Sequence, residues 1–345
     1  MENKAEQIAH LVLRQFRSLG KKGKPTGNQW TTLAGFVIEE GKTFSVASLA
    51  TGTKCVTGRP SQVENVLIDC HAEIIARRGL KRYLMARYED NNQRNENFVI
   101  HFFISQLPCG TIDRYQGTSR KGAVQGVRRK PGRGEPCIEP SCVDKLLKWS
   151  ILGVQGKLLL SITKKPLFIS MLVIGNCVET IEYDETLLRS ALSLELNDDN
   201  FPHNLFQRGQ LPYLATVFVE EFRAPEFIKT DLLNVCPSAI VFWKEISDSL
   251  CEVIVDGLRQ GLTHKTNDKN SLKISRKGLL SRFLGFKSNK YPIDESLIDH
   301  YRIAWESLKK IPRFMGWKTS GDKGENSSER EKELPDKKKV KTFHQ

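Results

Sequence analysis

The chain has 345 residues, 39% of them hydrophobic and 27% charged, and its 53 Lys and Arg exceed its 40 Asp and Glu by a formal +13. This composition belongs to a globular protein with a sizeable core, and it excludes a fibrous or wholly disordered chain. No run of about 18 uncharged apolar residues offers a membrane span, and the basic excess points to an anionic partner, either nucleic acid or a phosphorylated ligand.

Residues 3–19 place Ile8, Leu11, Val12, Phe16 and Leu19 at helical spacing. This segment is charged and amphipathic, which argues against a secretory signal. The eight cysteines are therefore expected to be reduced thiols or metal ligands. Lys21–Gly27 breaks the helix. Thr32–Glu40 and Thr43–Ala50 read as a hairpin around Gly41, and Thr51-Gly-Thr-Lys54 as a loop. Ala72–Tyr88 reads as a helix, and Phe98–Ser105 as a strand buried on both faces. Residues 110–141, rich in Gly, Pro, Arg and Lys, read as a long functional or disordered loop. A helix at Val143–Leu152, a strand at Leu167–Ile174 and a helix at Glu185–Leu196 come next. Strands near Ala215–Val219 and Ala239–Trp243, then helices at Lys277–Phe286 and Glu295–Lys310, complete the pattern. The alternation predicts one α/β domain over residues 1–317, with helices flanking a mixed central sheet. Residues 318–345 read as a disordered tail carrying only +2. Its Lys337–Lys341 run is either a nuclear-import signal or a solvated basic end, so the expected location is cytoplasmic, nuclear or both.

Three short pieces carry the chemistry: Cys70-His-Ala-Glu-Ile-Ile75, Leu107-Pro-Cys-Gly110 and Ser141-Cys-Val-Asp-Lys145. His-x-Glu followed by Pro-Cys and a further Cys is the zinc deaminase signature. Two thiolates and one imidazole, from Cys109, Cys142 and His71, hold a zinc ion and leave its fourth position to water. The metal brings that water's pKa to about 7, and a carboxylate, Glu73, carries its proton to the leaving nitrogen. Cys142 begins a helix, whose N-terminus stabilises a thiolate. The two cysteines lie 33 residues apart rather than in Cys-x-x-Cys, and Cys137 is an alternative ligand.

With Thr51-Gly-Thr-Lys-Cys55, Asp69–Arg78, Arg129-Lys-Pro-Gly-Arg-Gly134 and Trp149–Gly156 added, the pattern resembles the RNA adenosine deaminase family. That family includes editases of double-stranded RNA and tRNA-specific adenosine deaminases. The resemblance covers roughly residues 1 to 318, and a long insert between the ligand cysteines is typical of it. Lys-Pro-Gly-Arg-Gly, and Lys22-Gly-Lys-Pro before Trp30–Gly35, look like the tRNA branch. So does the lack of a double-stranded RNA-binding domain. The resemblance implies a cytidine-deaminase-like fold elaborated C-terminally, and a hydrolase that adds a metal-activated water to C6 of adenine. Its expected target is adenosine 37, next to the anticodon of alanine tRNA.

The resemblance also implies a buried inositol hexakisphosphate, with Arg77, Arg78, Lys145, Lys148, Trp149, Lys277, Tyr301, Trp317 and Lys318 around it. Burying that many phosphates requires cations. Ile68, Thr111 and Lys148 stand where the family often has Asn, Asp and Arg; the lysine keeps the charge and loses the fork. Thr53 and Lys54 are expected to contact the target nucleotide, and Arg129, Lys130 and Arg133 its phosphates. No membrane and no obligatory protein partner are expected. Competing readings are an editase-like deaminase of other structured RNA, a deaminase of free nucleosides, and a non-catalytic zinc protein that binds RNA. Glu73 argues against the last, since a structural zinc site has no use for a free carboxylate.

Overall fold

The structure, a computed structural model, describes residues 3–56, 65–89, 97–111, 139–175, 185–194, 201–202, 205–206, 212–217, 225–228, 232–263, 270–288 and 293–318. The predicted loop over 110–141 falls largely outside the described residues, as do Cys137 and the tail beyond Lys318.

Helix α1 (Lys4–Ser18) opens the fold with a capping box, in which Asn3 Oδ1 accepts from the Glu6 N–H at 2.9 Å. Strands β1 (Gln29–Trp30), β2 (Leu33–Glu40) and β3 (Thr43–Thr51) follow, the last two forming the predicted hairpin. Next come β4 (Thr53–Cys55), β5 (Asp69–His71), helix α2 (Ala72–Glu89) and β6 (Val99–Ile104). Beyond them lie α3 (Cys142–Leu152), α4 (Lys157–Thr163), β7 (Ile169–Gly175), α5 (Glu185–Leu192) and β8 (Tyr213–Val217). Strands β9 (Asn234–Val235), β10 (Ser238–Lys244), β11 (Ser249–Val255) and β12 (Leu258–Arg259) precede α6 (Arg276–Ser288) and α7 (Ser296–Lys310).

The eight-stranded central sheet runs β12-β11-β10-β3-β2-β6-β7-β8. It is mixed: β6, β7 and β8 are parallel, and the rest of the ladder is antiparallel. Side chains alternate across it. Leu33, Val37, Leu49 and Phe103 face α1, packing with Ile8, Val12 and Phe16. Ala34, Phe36, Ile38, Phe102 and Ile104 face the layer that holds α2 and α3. Both faces of the middle strands are therefore buried, which is why β6 reads as an almost continuous apolar run. Phe36 and Phe102 stack at 4.1 Å in the centre, with Trp149 of α3 edge-on to Phe102 at 6.4 Å. The C-terminal helices close over this layer. Arg313 Nε donates to Asp144 Oδ1 at 2.9 Å, which ties the segment after α7 to the first turn of α3.

Helix α4 and strands β11 and β12 are not expected from the sequence, and one predicted loop is a strand. Thr51-Gly-Thr-Lys54 is not a free loop: Thr51 ends β3, and Thr53–Cys55 pairs with Asp69–His71. A three-residue strand is too short to show a periodicity, and it exists through its tertiary partner.

Phe102 is fully buried in this stack. Phe102→Ala is expected to lower the unfolding free energy by about 3–5 kcal/mol, read from a urea titration.

Candidate active site

The site forms where the β4–β5 pair meets the N-terminus of α2. Register pairs Thr53 with His71, Lys54 with Cys70 and Cys55 with Asp69. The Ala72 N–H donates to Gly52 O at 2.9 Å, which joins the helix start to the turn before β4. Gly52 has φ +139°, and a Cβ there would sit 2.2 Å from Cys70 O. Only glycine fits, so the motif's Gly lets β4 lie flat on β5. Glu73 is buried in the first turn of α2. Thr53 Oγ1 is buried with no hydrogen-bond partner among the described residues, across the ladder from His71. A buried hydroxyl without a partner is costly unless a ligand satisfies it.

Cys109 follows β6, and Cys142 is the first residue of α3. The Cys142 backbone N–H donates to Cys109 Sγ at 3.2 Å, and the Val143 N–H donates to Cys109 O at 3.2 Å. The helix N-terminus thus receives the Cys109 sulfur, the environment that favours a thiolate. Cys142 is fully buried.

His71 is held by its neighbour two residues earlier. Asp69 Oδ1 accepts from the His71 N–H at 3.1 Å and lies 3.0 Å from Nδ1. A carboxylate on one ring nitrogen orients the imidazole and leaves the other as a metal donor. The other oxygen of Asp69 accepts from Lys145 Nζ at 2.5 Å, and Lys145 also donates to Glu139 at 2.8 Å. A buried lysine between two carboxylates is thereby satisfied. Cys55 Sγ lies 3.8 Å from Asp69 Oδ1 and 3.9 Å from His71 Nδ1. Cys55, Asp69 and His71 therefore bring one donor each within 4.8 Å of one another, a set that shares only His71 with the sequence-predicted ligands. Asp69 is already engaged by the imidazole and by Lys145, which suits it to orient His71 rather than to bind a metal itself.

Beneath this rung lies a cluster of cations. Arg77 stacks on Trp149 with its guanidinium carbon 4.8 Å from the ring centroid, and its Nε donates to Val154 O at 2.8 Å. Arg78 Nη1 donates to Ile274 O at 2.8 Å. Both side chains are half-buried. Burial holds Arg77 down to about 10, with Tyr301 nearby opposing the fall and Arg78 adding to it. Burial likewise pushes the Tyr301 hydroxyl up. Lys148 Nζ sits 3.3 Å from the centroid of Trp305 and 5.2 Å from that of Trp317. Trp305 and Trp317 pack edge to face at 5.0 Å. Lys277 and Lys318 are exposed. Arg129, Lys130 and Arg133 lie outside the described residues.

Sequence reasoning did not single out Asp69, Glu139, Trp305 or Lys81 for these surroundings. Lys81 alone left a readable trace, since it stands four residues after Arg77, one helical turn on. Ile68, in place of the expected polar residue, is buried against Val66 and Leu258.

An α/β sheet with a His-x-Glu helix start and two thiols at a second helix defines a deaminase of the editase type. Residues 48–127 and 113–310 match the adenosine-deaminase (editase) domain, and the chain belongs to that family. It is 30% identical to "tRNA-specific adenosine deaminase 1" of Drosophila melanogaster, over 89% of this chain and 89% of that protein. The Schizosaccharomyces pombe protein of the same name is 26% identical over 81% of this chain and 84% of its own length. "Double-stranded RNA-specific editase B2" of Rattus norvegicus is 27% identical, over 51% of this chain and 31% of that protein. Among the described residues no helix is long and apolar enough to cross a membrane.

Replacing Asp69 by Asn removes one of the two carboxylates that meet the buried Lys145. Asp69→Asn is expected to lower the unfolding free energy by about 3 kcal/mol, measured by denaturant titration.

Proposed function

We propose that the chain is a zinc-dependent hydrolase that converts adenosine to inosine in tRNA, at adenosine 37 beside the anticodon of alanine tRNA. Membership of the editase family and near full-length similarity to two proteins named tRNA-specific adenosine deaminase support it. The observation that carries the reading is Glu73, a carboxylate buried at the start of α2, two residues after the oriented imidazole of His71.

His71, Cys109 and Cys142 are the residues that would hold zinc, one imidazole and two thiolates being a donor set that suits it. Bound there, zinc lowers the pKa of a coordinated water to about 7. Glu73 would take one proton from the attacking water to N1, then carry the second, from the new C6 hydroxyl, to the departing amino group. Adenine C6 gains oxygen from water and loses nitrogen as ammonia, with no redox change. Asp69 keeps the imidazole oriented. The base must leave its stack to reach this pocket. Thr53, whose hydroxyl is unpaired, and Lys54 beside it receive the nucleotide. Arg129, Lys130 and Arg133 contact its phosphates.

Arg77 and Arg78, which donate to backbone carbonyls and form no carboxylate ion pair among the described residues, support a buried polyanion, which we assign as inositol hexakisphosphate. Lys145, Lys148, Trp149, Lys277, Tyr301, Trp317 and Lys318 complete its proposed surroundings. Cations deep in a fold without carboxylate partners require an anion.

Incubation of the protein with total tRNA, followed by sequencing for A-to-G changes, should mark one anticodon-loop adenosine. A result with no change in any anticodon loop would overturn the tRNA reading. Glu73→Gln should keep the fold and reduce inosine formation at least about 100-fold.

Metal analysis separates the two donor sets. Cys109→Ser and Cys142→Ser should lose zinc, whereas Cys55→Ser should retain it in full. The reverse pattern would move the metal to the Cys55, Asp69 and His71 cluster.

A further inference from the structure

Helix α2 carries five basic residues after its first turn, and beside Arg78 the other four divide into two kinds. Arg82 Nη2 pairs with Glu245 at 3.0 Å, and Arg87 Nη2 pairs with Glu40 at 2.5 Å. Arg77 and Lys81 pair with no carboxylate among the described residues. Arg77 at least donates to a backbone carbonyl and stacks on Trp149. Lys81 has no hydrogen-bond or ion-pair partner among the described residues.

Arg77 and Lys81 stand at i and i+4, on one face of the helix, where like charges repel. Their charged ends converge in space. A Cβ placed on Gly156 would lie 3.1 Å from Arg77 Nη2 and 3.1 Å from Lys81 Nζ. Lys81 is half-buried, and its ammonium comes to the same place as the Arg77 guanidinium, beside Gly156. Burial, with Arg77, Arg78 and Lys148 nearby, drives its pKa well below the normal range. Two cations brought together in this way are destabilising on their own. They become favourable when an anion with several charges lies between them, because each phosphate then meets a cation already fixed in position.

We propose that Lys81 is a direct ligand of the buried polyphosphate, meeting it beside Arg77 and opposite Gly156. This rests on the polyphosphate reading above and adds a residue to it.

The sign of one substitution decides the matter. Wild type, Lys81→Met and Lys81→Arg are purified from a eukaryotic host that makes inositol polyphosphates. Inositol hexakisphosphate released on acid denaturation is measured per mole of protein, and the melting temperature is recorded for each. The wild type should release it stoichiometrically. Lys81→Met should release less and melt at least about 3 °C lower, whereas Lys81→Arg should match the wild type in both. Unchanged content in Lys81→Met, with an equal or higher melting temperature, overturns the proposal, since removing a merely unpaired buried cation stabilises the fold. Should Lys81→Met not accumulate as folded protein, Lys81→Arg decides: loaded and stable supports the proposal, empty or unfolded overturns it. Active wild type without any inositol phosphate refutes the polyphosphate reading itself, a different failure from an unchanged Lys81→Met.

Discussion

Arg77, Arg78 and Lys81 enter the interior on two turns of one helix, and none of them forms an ion pair with a carboxylate among the described residues. Removing even one cation from water without a partner costs several kcal/mol after relaxation. The helix that carries them also begins with Glu73 and follows directly on His71. Neutralising the interior charge and placing the reactive groups are therefore one structural problem. Whatever satisfies the cations holds α2 in place, and α2 sets where the carboxylate and the imidazole point.

The neighbouring charges show that the imbalance is local. Arg82 and Arg87 on the same helix have acidic partners, Arg313 has Asp144, and Lys145 has two carboxylates. Each of these cations meets a carboxylate within the fold. Lys145 also links the two levels of the site. It pairs with Asp69, which orients His71, and it lies on the helix whose first residue is Cys142. The Asp69 carboxylate thus joins the β5 end of the site to α3 by a single buried ion pair, so a shift of α3 relative to α2 would be felt at the imidazole.

Long periodic elements were readable from the sequence: α1, α2, the β2–β3 hairpin, β6, β7 and α7 all sit close to their predicted bounds. Elements made by tertiary pairing were not. The strand Thr53–Cys55 has three residues and depends on a glycine that lets it lie against β5. The short helix α4 and the edge strand β12 carry no period long enough to register. At the site, His71, Glu73, Cys109 and Cys142 were legible because their chemistry demands residue types in a fixed order. The groups around them were not, because their roles come from contacts distant in sequence. Lys145 meets Asp69 across 76 positions, and Arg78 reaches Ile274 across 196.

The formal +13 is a poor measure of what the molecule offers to RNA. Arg77, Arg78 and Lys81 are half-buried along α2, and Lys145 is matched by two carboxylates. Lys24 is engaged as well: its ammonium donates to Leu19 O at 2.7 Å and to Arg17 O at 3.1 Å, at the end of α1, and lies 4.7 Å from the Phe16 ring centroid. What remains for a polyanionic substrate is charge at the surface, such as Lys21, Lys22 and the half-buried Lys54 on the rung opposite Cys70. The salt dependence of RNA binding counts phosphates contacted and counterions released, not total charge. A protein of this design should therefore bind RNA with a shallower salt dependence than its composition suggests, because part of its positive charge serves the fold.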